Sequence, residues 1–137
     1  MNPTERDRAS YFLENIESIS KEGLWDLVEG DVDILPGISV ALIPGHTAHM
    51  QAVKISGGGK TLVFLSDLFP TQHHLPLPWI MGYDLYPLQT LETKRLWIRH
   101  AIAGEWIIVF GHDPNVHAAT LFEKNGKVEF SPVDLNR

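Results

Sequence analysis

Apolar residues near the start of the chain recur every three or four positions. Phe12, Ile16 and Ile19 fall on one side of a 3.6-residue repeat, which predicts an amphipathic helix. A polar cap within residues 2–4 and a stop at Gly23 set the ends that we expect for it.

A second helical repeat begins at Pro87, a residue suited to the first turn of a helix, and stops at Gly104. Its apolar residues form one stripe, which we expect to be its core face: Leu88, Leu91, Ile98 and Ile102.

Short apolar runs separated by turn residues predict strands elsewhere in the chain. They cover Leu24–Val28, Val32–Leu35, Ile38–Ile43, Gln51–Ser56, Thr61–Leu65, Trp106–Phe110, Leu121–Lys124 and Lys127–Phe130. The glycines of Gly57–Lys60 and the pair Asn125-Gly126 indicate hairpin turns. Residues 66–86 show no period and contain three prolines, and a loop of this length is usually functional or mobile.

This order of elements predicts a mixed sheet that carries helices on one face. Strands as apolar as Trp106–Phe110 are typical of a sheet that is covered on both faces. Two helices can shield only one face, so we expect the other to be bare in an isolated chain.

Composition narrows the class of protein. The 137 residues suit a single domain, residues 1–137, and the hydrophobic share of 44% is that of a soluble globular chain. The chain has no cysteine, no signal-peptide pattern and no apolar run of about 20 residues, so we expect a cytoplasmic protein without a membrane partner. The formal net charge of −6 argues against nucleic acid as a partner.

Three of the predicted strands are each followed within a few positions by a residue that can bind a metal ion: His46, Asp67 and His112. A strand end is a stiff place from which to aim a side chain into a shared cleft. Imidazole and carboxylate groups suit zinc or iron, so the sequence predicts a metal site.

The motifs Pro-Gly-His-Thr at 44–47, Ser-Asp at 66–67 and Gly-His-Asp at 111–113 carry a family resemblance. In this order they resemble the C-terminal half of the metallo-β-lactamase-fold hydrolases, over about residues 5–132. The resemblance implies an α/β (α+β) fold that is half of an αββα sandwich, a mixed β-sheet with helices on one face. The family's H-x-H-x-D-H motif, which belongs to the N-terminal half, does not occur in this sequence.

The resemblance also implies roles for the three residues. His46 would bind one metal ion, Asp67 would bridge two, and His112 would bind the second. The divalent metals, zinc with iron or manganese as alternatives, would activate a bridging water for hydrolysis. Because the H-x-H-x-D-H ligands are missing, we expect the metal to be weakly bound or absent in this chain.

The proline-rich loop holds further candidates. His73, His74, Trp79 and Tyr83 have the composition of a substrate-pocket lining, although an ordinary exposed loop fits it equally well. The remaining histidines, His49, His100 and His117, are expected to be exposed or structural.

Three functions remain open at this point. The chain is a metal-dependent hydrolase fragment that is inactive alone, a non-catalytic half-domain that acts as a homodimeric interaction module, or a small mononuclear metal-binding protein. The expected partners are a second copy or a complementary N-terminal half, with a small-molecule substrate in the complete enzyme.

Overall fold

The computed structural model describes residues 10, 12 and 14–135, and within them two helices and seven strands form. The helices are α1 (Glu14–Lys21) and α2 (Pro87–Ala103). The strands are β1 (Val32–Leu35), β2 (Ile38–Leu42), β3 (Gln51–Gly57), β4 (Lys60–Phe64), β5 (Ile107–Val109), β6 (Ala118–Lys124) and β7 (Lys127–Pro132). The loop before α2 contains two single-turn 3₁₀ helices, Ser66–Leu68 and Gln72–His74.

The seven strands lie side by side in chain order in one sheet. Every neighbouring pair is antiparallel except β4 and β5, which are parallel. A parallel pair needs a long connection that returns to the starting edge, and α2 together with the loop before it supplies that connection. The predicted mixed sheet is therefore confirmed.

Both predicted hairpin turns are confirmed, and each has the backbone that its residues favour. Asn125 and Gly126 have φ angles of 52° and 71°, and Gly58 and Gly59 have φ angles of 57° and 74°. Two successive left-handed residues are typical of the type I′ turn, whose twist matches that of the flanking strands.

The two faces of the sheet differ because successive side chains of a strand alternate. On one face Val63 and Ile108 are fully buried and pack with Trp97 and Ala101 of α2. The other face, here called the open face, is also apolar; it includes Val40, Val53, Ile55, Leu62, Phe64, Ile107, Val109 and Phe122. Ile55, Phe64 and Phe122 remain 39–48% exposed there. The expectation of helices on one face only is confirmed.

The first helix packs differently from what its apolar pattern predicts. α1 buries none of its side chains, so within the described residues α2 is the helix that supplies buried side chains to the core. The expected start of the first helix at residues 2–4 lies outside the described residues.

The predicted core stripe of α2 is also partly wrong. Ile98 is buried, but Leu88 is 77% exposed. The buried side chains of α2 are instead Thr90, Thr93, Lys94, Trp97, Ile98 and Ala101. Polar residues are buried here because the first half of α2 packs against loop backbone, whose carbonyl and amide groups need hydrogen-bond partners.

The strand predicted at Leu24–Val28 is wrong. Residues 24–29 have no regular structure, and Leu24 and Leu27 are 73% and 85% exposed. β1 already forms the edge of the sheet, and the 24–28 segment does not pair with it. A short apolar run without a hydrogen-bonded neighbour cannot form a stable strand.

Candidate metal centre

The three predicted metal ligands meet at one edge of the sheet. β2, β4 and β5 run in the same direction, because β2 and β4 are each antiparallel to β3 and β5 is parallel to β4. Their carboxyl ends therefore share an edge. His46, Asp67 and His112 each lie a few residues beyond one of these ends.

Asp67 lies between the two imidazoles. Its Oδ1 is 3.0 Å from Nε2 of His112, and its Oδ2 is 3.7 Å from Nε2 of His46. The side chains of His46, Asp67 and His112 are 21%, 29% and 65% exposed, so the group opens to solvent. One carboxylate thus offers a separate oxygen to each of two histidines.

These donors fit part of a metal centre. Imidazole nitrogen and carboxylate oxygen both bind zinc, and two ligands that share an ion lie about 3.4 Å apart in tetrahedral geometry. Within the described residues, however, no three His, Asp or Glu side chains form a group that could hold a metal ion. Each imidazole pairs with its own carboxylate oxygen, so any ion here needs ligands from elsewhere.

The turn that carries His46 depends on Gly45. Gly45 has a φ of 146°, and a Cβ there would come within 2.5–2.7 Å of Thr90 at the start of α2. Tyr86 N donates to Gly45 O at 2.9 Å, and Thr93 Oγ1 donates to Pro44 O at 2.7 Å. The Pro-Gly pair therefore lets the chain leave β2 and pack directly on α2.

Asp67 is placed by the short 3₁₀ turn after β4. Ser66 opens the turn with a φ of 46°, an uncommon conformation for a residue other than glycine. Leu68, the last residue of this turn, and Phe69, which follows it, are fully buried. These two apolar side chains fix the turn, and the carboxylate of Asp67 lies at the edge of the sheet with the two imidazoles.

His112 is fixed through its backbone and through its neighbour Asp113. His112 N donates to Pro70 O at 2.9 Å. Asp113 accepts backbone N–H bonds from Gln72, Asn115 and Val116 at 2.8–2.9 Å. Burial alone would raise the pKa of the Asp113 carboxyl, but these three bonds lower it. The bond from Gln72 joins the loop after β5 to the loop after β4.

Asp84 is the residue of this site that the sequence reasoning missed. Its Oδ1 is 3.0 Å from Nδ1 of His46, and its side chain is only 1% exposed. Its Oδ2 is buried without a hydrogen-bond partner among the described residues. A histidine that donates Nδ1–H to a carboxylate keeps the lone pair on Nε2, which is the atom nearest Asp67.

The pocket candidates lie in the loop between Asp67 and Asp84 and stay predictions. His74 Nδ1 is 2.9 Å from Thr71 Oγ1, and burial, followed by nearby Lys94, lowers the pKa of His74. His73 is exposed, and Trp79 and Tyr83 are 63% and 73% exposed.

A cavity of about 480 Å³ lies elsewhere, between β1–β3 and α2. Trp97, His100 and Trp106 contribute aromatic rings to its lining, and none of the four pocket candidates does. His100 is exposed, as expected, and lies edge-on to both tryptophans. His49 and His117 are exposed too.

Comparison with known proteins shows the same architecture in a group of hydrolases. No protein-family model and no curated protein matches the sequence. Among solved structures, a probable metal-dependent hydrolase from Staphylococcus aureus has a TM-score of 0.83 and 26% identity, over 96% of this chain and 47% of that one.

Two lactonases are also similar. AidC, a dizinc quorum-quenching lactonase, has a TM-score of 0.74 and 18% identity, over 96% of this chain and 45% of its own. An N-acyl homoserine lactone hydrolase with product at its catalytic metal centre has a TM-score of 0.56 and 22% identity, over 65% of this chain and 36% of its own.

The chain spans about half the length of the first of these hydrolases. A hydrolase of the β-lactamase superfamily is similar too, with a TM-score of 0.71 and 18% identity, and the fold of this chain matches about half of each of these hydrolases. The resemblance drawn from the three strand-end motifs is thereby confirmed. Within the described residues, no helix is long and apolar enough to cross a membrane.

We expect Gly45→Ala to destabilise the chain by about 3 kcal/mol or more, because the new methyl group meets the backbone of Thr90 at a strained φ. Gly126→Ala is the matched control: its φ is 71° and nothing lies within 4 Å, so about 1 kcal/mol is expected. Urea denaturation of both variants measures the difference, and equal losses would contradict the close packing on α2.

We expect Asp84→Ala to remove the tautomer preference of His46, because Nδ1–H loses its acceptor. ¹⁵N NMR of the imidazole nitrogens at about pH 7.5, about one unit above the ordinary pKa of histidine, measures the change. Asp26→Ala, an exposed carboxylate outside the site, is the control. An unchanged His46 spectrum in Asp84→Ala would show that Asp84 does not set the tautomer.

Proposed function

We propose that this chain is one half of a metal-dependent hydrolase, in which it supplies part of a dinuclear metal site. The observation that carries the proposal is the position of Asp67, with one oxygen toward His46 and the other toward His112. The chain covers 47% of a similar hydrolase, which supports a complementary half as the source of the remaining ligands.

In this proposal each residue of the chain has a separate task. His46 and His112 would each contribute an imidazole to hold an ion, Asp67 would contribute its two carboxylate oxygens, and Asp84 would keep the Nε2 lone pair of His46 available. The divalent ions, zinc first and iron or manganese as alternatives, would supply an activated water whose pKa falls toward about 7. The side chain of His112 is 65% exposed, so a small-molecule substrate could approach this side of the site.

Lactones are the first substrates to test. AidC is a dizinc lactonase with N-hexanoyl-homoserine as its product, and a second similar structure holds the same product at its metal centre. Thioesters and phosphodiesters follow, since the same activated water attacks carbonyl and phosphoryl centres.

The purified 137-residue chain is expected to show no more than trace hydrolysis of these substrates, because two protein ligands per ion leave each ion poorly held. Zinc affinity, measured by calorimetry, should be weak and should fall further in Asp67→Ala. Robust turnover that His46→Ala abolishes would contradict the proposal. Binding that survives the Asp67→Ala, His112→Ala double variant would place the metal elsewhere, for example at His73 and His74.

The open face of the sheet favours a second candidate function, a half-domain that pairs with another copy. Ile55, Phe64 and Phe122 are 39–48% exposed although they belong to an apolar sheet face. In a stable interface each partner buries roughly 800 Å².

A symmetric contact between two open faces would bury Ile55, Phe64 and Phe122. The neighbouring residues of Ile38–Ile43, Thr61–Leu65 and Trp106–Phe110 that share the open face would complete this sheet-on-sheet interface. Such an apolar surface rarely stays in water when it extends over several hundred Å².

We therefore expect a homodimer at micromolar concentration, measured by size-exclusion chromatography with light scattering. Phe64→Asp places a charge in the centre of the open face and should give a monomer. Leu88→Asp is the matched control, because Leu88 is 77% exposed on α2, and it should remain dimeric. A well-behaved monomer of the unmodified chain would contradict the homodimer and leave a complementary half as the partner.

A further inference from the structure

Lys94 is fully buried in the middle of α2. Its Nζ donates three hydrogen bonds to backbone carbonyls: to Pro76 O at 2.9 Å, to Leu77 O at 3.2 Å and to Trp79 O at 2.7 Å. It also lies 5.5 Å from the centre of the Phe69 ring. An ammonium group has three N–H donors, and here each has its own acceptor.

The charge of Lys94 is costly to bury unless these bonds are made. Burial lowers the pKa of Lys94 to about 8, and the nearby Asp84 carboxylate opposes that shift. The side chain is therefore still largely protonated at neutral pH, so all three donors are available.

The three carbonyls belong to a segment without regular secondary structure. Residues 75–81 contain no helix or strand; Trp79 N donates to Pro76 O, and Met81 O accepts from Asp84 N at the end of the segment. Lys94 gives this segment the fixed partners that a neighbouring strand would otherwise give.

The same segment leads directly to Asp84. Five residues after Trp79, the carboxylate of Asp84 meets Nδ1 of His46. Leu85 N then donates to His46 O at 3.1 Å and Tyr86 N donates to Gly45 O at 2.9 Å. The loop is thus held at two places, by Lys94 near its middle and by the Gly45-His46 turn at its end.

We propose that Lys94 is a positioning residue: its three bonds to the Pro76–Trp79 backbone hold the loop so that Asp84 stays on His46 and selects the tautomer of that histidine. All of these residues belong to this chain. Lys94 lies outside the proposed ligand set, and its effect on the His46 tautomer can be tested on the metal-free chain whether or not the chain is a hydrolase.

The test compares Lys94→Met with Arg95→Met, which removes a cation from the exposed side of the same helix. In Lys94→Met we expect exchange of the hydrogen-bonded loop amides of Trp79 and Asp84 to rise at least tenfold, with exchange in β4 and β6 unchanged. The ¹⁵N spectrum of His46 should change in the same direction as in Asp84→Ala. Arg95→Met should leave both measurements as in the parent chain.

Two outcomes would overturn the proposal. One is faster exchange in the loop with an unchanged His46 tautomer, which would make Lys94 a loop support that does not reach the site. The other is a uniform rise in exchange across the sheet, which would make it an ordinary core residue. If Lys94→Met does not fold, Lys94→Gln, which keeps two donors, replaces it, and an intermediate shift of the His46 tautomer is then expected.

Discussion

The parallel pairing of β4 with β5 is the constraint on which the candidate site depends. It sends the chain through the 65–86 loop and α2 before it can return to the same edge of the sheet. Asp67 and His112 come together for that reason, although 45 residues separate them. The long connection also brings Asp84 to His46. Without that parallel pair His112 would not share an edge with His46 and Asp67.

The long connection is held by polar contacts with backbone as well as by its buried apolar side chains. Thr93 bonds Pro44 O, Lys94 bonds three loop carbonyls, and Asp113 accepts three backbone N–H groups. A loop buried against a helix must satisfy its backbone groups, and threonine, lysine and aspartate side chains do so here. This explains why the buried side of α2 is partly polar, and why the loops around the site are fixed in spite of their irregular form.

The proposed function gives the open face and the small number of donors at the candidate site one common explanation. Half of a two-sheet sandwich has one sheet face without a partner and only some of the groups at the shared edge. On this proposal Ile55 and Phe64 are exposed for the first reason, and Asp67 offers two oxygens to only two imidazoles for the second. A complementary half would remedy both deficits at once, whereas a second copy would cover the face and bring another copy of the same three donors.

The sequence by itself determined the hairpins and the strands that come before His46, Asp67 and His112, because turn residues and apolar runs act over a few neighbouring positions. Only the tertiary structure decided that residues 24–28 are not a strand, that Leu88 is exposed, that Asp84 contacts His46 and that Lys94 contacts the loop carbonyls. A strand needs a neighbour to pair with, and a buried polar residue needs a particular acceptor. The neighbouring strand and the acceptor both belong to segments far away along the chain, so no local sequence pattern predicts them.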